Sequence, residues 1–127
     1  MIIRLCGSWG EVTGGSGFFE TAATTEPGNH GDPADYLRNT DFDRHYHDCD
    51  EYYIIYEGNG VVVTEGKHYD ITSSDCVAIG KGHHHDLPIV QDTIKAVYFE
   101  TTIQGLGRSG HLWNHTHGPA EPDWERV

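Results

Sequence analysis

The stretch His45-Tyr46-His47-Asp48-Cys49-Asp50-Glu51, followed directly by Tyr52-Tyr53-Ile54-Ile55-Tyr56, decides the fold of this 127-residue chain. Tyrosine and isoleucine favour β-strands, and side chains at positions i and i+2 of a strand point to the same face. His45, His47 and Glu51 therefore share one face of an extended segment. Two imidazoles and one carboxylate on one face are typical of a divalent-metal site.

A second histidine cluster, His83-His84-His85, follows the turn Gly80-Lys81-Gly82. In a strand, His83 and His85 share a face and could supply a third imidazole to the same ion. Either His83 or His84 is then not needed as a ligand. Taken alone, this cluster is equally typical of surface histidines that bind nickel adventitiously, but the two clusters together favour one intrinsic site.

The sequence from residue 45 to residue 102 predicts short strands joined by glycine-rich turns. The predicted strands are 51–56, 61–64, 68–71, 76–79, 83–89 and 94–102. Short strands at intervals of about ten residues indicate an antiparallel sandwich or barrel. We find no amphipathic helix of useful length, and the interpretation is an all-β fold.

The first 40 residues have the composition of a loop, with one short helical turn predicted at Asp32, as N-cap, and Pro33. This N-terminal arm is either a strand with an ordered cover or a partly disordered segment, and we expect it to be ordered.

Composition excludes several classes of protein. The length fits one domain, although only 36% of residues are hydrophobic. A formal charge of -12 argues against nucleic-acid and membrane-surface partners, and no apolar run approaches the ~20 residues of a membrane span. Cys6, Cys49 and Cys76 form no CxxC pair, and the N-terminus does not have the pattern of a signal peptide. We therefore expect reduced thiols and a cytoplasmic location.

The two histidine clusters resemble the two motifs of the cupin superfamily. The first motif, G(X)5HXH(X)3-4E(X)6G, is matched by His45, His47, Glu51 and Gly58, with Asn39 at the first glycine position. The second motif, G(X)5PXG(X)2H(X)3N, departs from the family pattern in its turn residues rather than in its ligand. Gly82 and His85 match it, and Ser74, Gly80 and Ile89 replace its Gly, Pro and Asn.

This resemblance implies a single cupin domain over residues 1–127, an antiparallel jelly-roll barrel (a double-stranded β-helix). Its motif core would span about 39–102, with terminal arms at 1–38 and 103–127. The resemblance also implies one divalent metal ion, such as Zn, Mn, Fe or Ni, held by His45, His47, Glu51 and His85. The expected function is a metal-dependent enzyme acting on a small polyhydroxylated or carbonyl substrate, such as a sugar or sugar acid, of isomerase, epimerase or lyase type. The alternatives are an iron-dependent dioxygenase and a non-catalytic module that binds a small ligand through the metal.

Four residues are candidates for proton transfer near the metal: His83, Tyr53, Tyr98 and Glu100. Tyr53 shares the face of Glu51 and should point inward, whereas the strand that carries Tyr98 and Glu100 is apolar on both faces and leaves their direction open. Each could equally be a hydrogen-bonded residue of the barrel wall.

Further side chains are expected around the site. Cys49 has the parity to lie near the metal, as a ligand, an oxidation-prone neighbour or a small buried apolar residue. Aspartates are expected to make the rim acidic, which disfavours a highly anionic substrate unless the metal or a basic residue meets its charge. These aspartates and basic residues are Asp48, Asp50, Asp75, Asp86, Arg38, Arg44 and Lys81.

Two surfaces favour a second copy of the chain as partner. The face of Tyr52, Ile54 and Tyr56 is as apolar as the face of Tyr53 and Ile55, so we expect a homodimer unless the N-terminal arm covers it. In the tail, His111, His115 and His117 could form a second metal site, but packing of Leu112 and Trp113 as a cap on the barrel or at a dimer interface is favoured.

Overall fold

A computed structural model describes residues 16–28, 37–42, 44–47, 49–101 and 111–113. These residues form seven strands and, within the described ranges, no helix. All strand pairs are antiparallel, which confirms the all-β antiparallel fold predicted from the sequence. The strands are β1 (Ser16–Thr21), β2 (His45–His47), β3 (Glu51–Thr64), β4 (Lys67–Thr72), β5 (Cys76–Ile79), β6 (His85–Glu100) and β7 (His111–Trp113).

Two long strands, β3 and β6, form the central ribbon of the fold. They pair from Glu51 opposite Glu100 to Thr64 opposite His85, with register shifts in the middle. We call residues 51–55 and 96–100 the first half of the ribbon, and residues 59–64 and 85–92 the second half. β5 and β1 flank the first half, whereas β4 and β2, with β7 beyond it, flank the second.

The hydrophobic core lies between the two halves of the ribbon. Tyr53, Ile55 and Ala96 come from the first half, and Val62, Leu87 and Val90 come from the second; all belong to one buried cluster. The ribbon is therefore bent so that both halves turn one face toward the same interior. β-Bulges bend strands and increase their twist, which accounts for the register shifts at the bend.

The predicted turn at 57–60 is wrong: β3 runs through it without a hairpin. Gly58 adopts a positive φ of 88°, and a Cβ there would lie 2.1 Å from the carbonyl oxygen of Thr93. The glycines serve a bulge rather than a chain reversal. The predicted break between residues 89 and 94 is wrong for the same reason, since β6 continues through it.

The remaining strand boundaries differ less from the prediction. The segment 76–79 was predicted with its observed ends, and β6 begins at His85 rather than at residue 83. β1 lies in the region predicted as loop, where its pairing with β6 supports the alternative of a strand with an ordered cover. The helical turn predicted at Asp32 and Pro33 lies outside the described residues.

The segment before β2 lies along β6. The side-chain amide of Asn39 donates to the carbonyl oxygen of Val90 at 2.8 Å and accepts from its backbone N–H at 2.9 Å, while its own N–H donates to Pro88 O at 2.8 Å. Asn39 thus bonds the backbone of β6 close to its bulges. In the part of the chain that the structure describes, no helix is long and apolar enough to cross a membrane.

Candidate metal centre

Four buried side chains converge in the interior of the fold: His45, His47, Glu51 and His85. None is more than 4% exposed, and one potential ligand atom from each lies within 4.8 Å of the others. These are the four residues that the sequence analysis named as metal ligands. The fold brings together two motifs that are far apart in the chain.

The carboxylate of Glu51 is at the centre of the cluster. Its Oε2 atom lies 3.1 Å from His47 Nε2 and 3.0 Å from His85 Nε2. The Tyr53 hydroxyl donates a hydrogen bond to the same oxygen at 2.9 Å. The His45 and His85 rings are in edge contact, with their centroids 4.2 Å apart. Three imidazoles and one carboxylate therefore face one point.

The bend of the ribbon explains this convergence. Glu51 opens the first half, whereas His85 opens the second and pairs across β6 with His45 of β2. Along the ribbon, Glu51 and His85 are at opposite ends, yet their side chains touch. The contact forms because the two halves pack face to face.

Electrostatics favour an ionised Glu51 and a neutral Tyr53. Burial raises the pKa of Glu51, but the hydrogen bonds and charges of His47 and His85 outweigh it, so the pKa lies well below its usual range. Burial and the neighbouring Glu51 carboxylate raise the pKa of Tyr53 well above its ordinary value. Tyr53 therefore keeps its proton near neutral pH and acts as a donor.

The donor set fits a divalent metal ion. Within the described residues, neither ring nitrogen of His85 has a hydrogen bond of good geometry, although both are buried and Nε2 is close to Glu51. Buried imidazole nitrogens normally have a partner. Neutral imidazoles and a carboxylate suit Zn, Mn, Fe, Co, Ni or Cu and do not select among them.

His47 has a second carboxylate on its other side. Its Nδ1 atom lies 3.3 Å from Glu100 Oε1, and both side chains are about 1% exposed. Cys49, also buried, completes a group with His47 and Glu100 whose ligand atoms lie within 4.8 Å of one another. Glu100 therefore points inward, which the sequence left open, and Cys49 lies beside the four-residue cluster.

The three consecutive histidines lie in different environments. The side chain of His83 is 58% exposed, and its Nδ1 is 3.8 Å from Glu65 on the surface. His84 is half-buried against the Tyr46 ring, with a pKa lowered by burial and then by Arg44. Only His85 joins the metal cluster. Of the other candidates, Tyr98 is partly buried against the core, opposite Tyr53 in the strand pairing.

The aspartates expected to form an acidic rim have structural roles where the structure describes them. Asp86 is buried and forms an ion pair with Arg38, so Asp86 does not contribute to the acidic rim predicted from the sequence. Asp50 accepts a hydrogen bond from the backbone of Lys81 at 2.9 Å, and Asp75 accepts one from Thr72 N at 2.8 Å. Asp48 lies outside the described residues.

Of two further contributors to the site, sequence analysis missed Phe42 and predicted only that the tail packs on the barrel or at a dimer interface. Phe42, in the segment before β2, lies with its ring 5.4 Å from His45 and 6.4 Å from His85, and gives the cluster an apolar neighbour. β7 pairs with β2, the strand of His45 and His47, so the predicted ordered tail includes a strand beside the ligands. A phenylalanine in a loop-like stretch gave no signal of this contact. The side chains of residues 111–113, and His115 and His117, lie outside the described residues.

Two residues of the second motif, Ser74 and Gly82, have a positive φ. Ser74, at its first glycine position, has a φ of 82°, and Gly82 has a φ of 78°. Both therefore lie in the left-handed region that glycine adopts most easily. Ser74 therefore has a backbone conformation that glycine would adopt at a lower energetic cost.

A separate cavity of about 460 Å³ lies between β4 and β5. Core residues Val62, Ile71 and Ile79 are among its lining, and none of its described lining residues is one of the four metal-site residues. We place the candidate chemistry at the buried cluster, because that is where ligating atoms converge.

Three comparisons with known proteins add context. No family model matches the chain. An uncharacterized protein of Sinorhizobium fredii, y4oW, is 52% identical to it over 126 residues, which are 99% of this chain and 58% of that protein. The chain thus spans little more than half of that relative's length. A crystal structure of a cupin protein from Bacteroides fragilis is similar with a TM-score of 0.48 and 16% identity, over 72% of this chain and 68% of that one.

The chain's own fold and cluster define its class. It is an antiparallel all-β protein with a buried His/Glu cluster suited to a metal ion.

Proposed function

We propose that the chain binds one divalent metal ion through His45, His47, Glu51 and His85. The observation that carries this proposal is the packing of both imidazoles, His47 Nε2 and His85 Nε2, within 3.1 Å of one carboxylate oxygen in a buried setting. We propose further that the metal serves an enzyme that acts on a small polyhydroxylated or carbonyl compound, such as a sugar or sugar acid. Isomerase, epimerase or lyase chemistry suits this centre best.

A bound divalent ion supplies Lewis acidity to a carbonyl or hydroxyl oxygen of the substrate. The residues of the chain hold and shape that centre. Tyr53 fixes one oxygen of Glu51 by donating to it, and Phe42 places an apolar ring beside two of the imidazoles. Three neutral imidazoles and one carboxylate leave a divalent ion with net positive charge, which favours an oxygen-rich ligand.

Proton transfer is the second requirement of this chemistry. Because Tyr53 keeps its proton, it suits hydrogen-bond donation rather than general-base catalysis near neutral pH. Tyr98, opposite it on β6, and Glu100 are inner candidates, whereas His83 is on the surface next to Glu65 and would need to move to reach a substrate. We propose Tyr98 as the first residue to test for proton transfer.

Metal content and solvent exchange test the function together. The purified chain is analysed for its metals, then incubated in deuterated water with aldoses, ketoses and sugar acids while NMR follows exchange of carbon-bound hydrogen. Exchange in the wild type that is lost in His85→Ala supports isomerase, epimerase or lyase chemistry. Iron with oxygen consumption would favour the dioxygenase, and saturable sugar binding without exchange would favour a binding module.

The homodimer and the cytoplasmic setting are also proposals. Phe18, 77% exposed, and Tyr56 are in edge contact on the outer surface of β1 and β3, where a second copy could cover them. Neither Cys49 nor Cys76 is in a disulfide within the described residues, in accord with a reducing compartment. The molecular mass in solution, measured at several protein concentrations for the wild type and for Phe18→Ser, tests whether the chain forms a dimer.

A further inference from the structure

We propose that Glu100 is a positioning residue for the metal ligand His47. It would hold the imidazole in the tautomer whose Nε2 lone pair faces the metal. This inference rests on the proposed metal binding and deepens it. It also assigns Glu100 a role different from direct proton transfer.

The geometry places His47 between two carboxylates. Glu51 and Glu100 are direct partners across β3 and β6. Glu51 Oε2 lies 3.1 Å from Nε2 of His47, and Glu100 Oε1 lies 3.3 Å from Nδ1 of the same ring. Each nitrogen of the His47 ring thus contacts a different carboxylate. Of these two carboxylates, only that of Glu51 belongs to the four-residue cluster.

The chemistry of neutral imidazole gives this arrangement a direction. Such a ring carries one N–H and one lone pair, and a hydrogen bond made by one nitrogen decides which nitrogen can ligate. An N–H on Nδ1 directed at Glu100 leaves the lone pair on Nε2, which faces Glu51 and His85. Histidine ligands commonly donate their second N–H to a carboxylate, which fixes ring orientation and raises ligand basicity. The Nδ1 to Oε1 separation of 3.3 Å is within ion-pair distance.

Burial makes the pairing specific. Glu100 and His47 are each about 1% exposed, so water cannot easily replace either partner, and a short contact there has more effect than one on the surface. Tyr53 plays the complementary part for Glu51, since it donates to a ligand that accepts. Glu51 therefore accepts a hydrogen bond from Tyr53, and His47 has the carboxylate of Glu100 as an acceptor next to its Nδ1.

A competing use of the same atoms is a second cation held by His47, Cys49 and Glu100, whose ligand atoms lie within 4.8 Å of one another. Such an ion would need Nδ1 without its proton, the opposite of what positioning requires. The positioning role thus predicts one ion per chain and no bond from a metal to the Cys49 thiolate.

The experiment compares zinc affinity, by chelator competition, in the wild type, Glu100→Gln and Glu100→Leu. Gln keeps the shape and an accepting oxygen, so we expect the order wild type, Gln, Leu, with a total loss of about 10–100-fold. Asp86→Asn is the matched control: it alters another buried acid of β6, next to ligand His85 but paired with Arg38. It should lower stability while leaving the zinc affinity of the folded protein close to that of the wild type.

A second measurement follows the Nδ1 proton of His47. In zinc-loaded protein labelled with ¹⁵N-histidine, NMR should show the Nδ1 proton of His47 protected from solvent exchange by Glu100 in the wild type, and Glu100→Leu should lose this protection. Equal zinc affinity and unchanged protection of the His47 Nδ1 proton in all Glu100 variants would overturn the proposal. So would two ions per chain with a thiolate charge-transfer band in cobalt protein that disappears in Cys49→Ser.

The two proposals fail separately. A wild type that binds no zinc would refute the proposed function, whereas a wild type that binds zinc no more tightly than Glu100→Leu, with the same protection of the His47 Nδ1 proton, would refute only the role of Glu100.

Discussion

The two halves of the β3–β6 ribbon place different chemistry on their inner faces. The first half carries Glu51, Tyr53 and Glu100, which are acids and a hydroxyl, whereas the second half carries one imidazole, His85, among apolar residues such as Leu87. Neither half holds a complete ligand set, and the contact between Glu51 and His85 exists only because the ribbon is bent. The site is therefore a property of the packing between halves rather than of a single strand.

A substitution that disturbs the bend of the β3–β6 ribbon should have the largest effect on stability. Gly58→Ala would place a Cβ 2.1 Å from Thr93 O at a φ of 88°, so we expect a loss of about 2–5 kcal/mol in the free energy of unfolding. Gly66→Ala is the control, because Gly66 has a φ of 75° but nothing within 4 Å and should lose only about 1–2 kcal/mol. Urea unfolding measures both, and equal losses would contradict the importance of the bend.

Removing the ligand of the second half should release the metal. We expect His85→Ala to weaken zinc retention by more than the roughly 10–100-fold typical of a residue that only supports a ligand. His84→Ala is the matched control, since its ring packs on Tyr46 outside the cluster. Metal content of the two purified variants checks this, and equal loss in both would mean that the strand is shifted by one residue.

The hydroxyl of Tyr53 should contribute to the first half in a pH-dependent way. Tyr53→Phe removes a buried donor to Glu51, and we expect a loss of about 1.5–3 kcal/mol in stability near neutral pH. Because the folded-state pKa of Tyr53 is raised, its contribution is complete below the ordinary tyrosine pKa of about 10. The contribution declines as pH rises further, since only the unfolded chain ionises readily. Unfolding at pH 7 to 11 should therefore show the wild type losing stability more steeply than Tyr53→Phe; parallel curves would contradict this.

The smallest expected effect concerns the turn that joins β4 to β5. Ser74 occupies a φ of 82°, which costs about 1–2 kcal/mol for a residue with a Cβ and little for glycine. Part of that gain is offset by the greater freedom of glycine in the unfolded chain, so Ser74→Gly should stabilise by about 0.5–1 kcal/mol. Thermal unfolding measures the change, with Ser73→Gly as the neighbouring control; a destabilised Ser74→Gly would show that the left-handed backbone is not a source of strain.

The sequence predicted the strand composition from local alternation of side chains. The shared face of His45, His47 and Glu51 also followed from strand parity, whereas the choice of His85 as the fourth ligand came from the resemblance to the cupin motifs. The sequence did not predict that β3 is one strand, since Gly58 and Gly60 serve bulges as well as turns. That distinction depends on β6, which pairs across the whole stretch. Local signals cannot show which distant strand will take up the hydrogen bonds.

The direction of Glu100 was similarly beyond the sequence. β6 is buried on parts of both faces, so alternation gives no sign of which face turns inward. Its partner Glu51 decides the matter through the strand register. Asn39 occupies a position where the motif has glycine. Its side-chain amide donates to the carbonyl oxygen of Val90 and accepts from the N–H of Val90.

The split of the ligands between the two halves links folding to metal supply. A metal ion that needs both Glu51 and His85 would bind the folded chain more tightly than the unbent chain, and so it would shift the folding equilibrium by mass action. At a free concentration one hundred times its dissociation constant, such a ligand adds at most about 2.7 kcal/mol to the apparent stability, and less where the unfolded chain also binds it. The cell's supply of the ion would then influence how long each molecule survives, in addition to whether its centre is loaded.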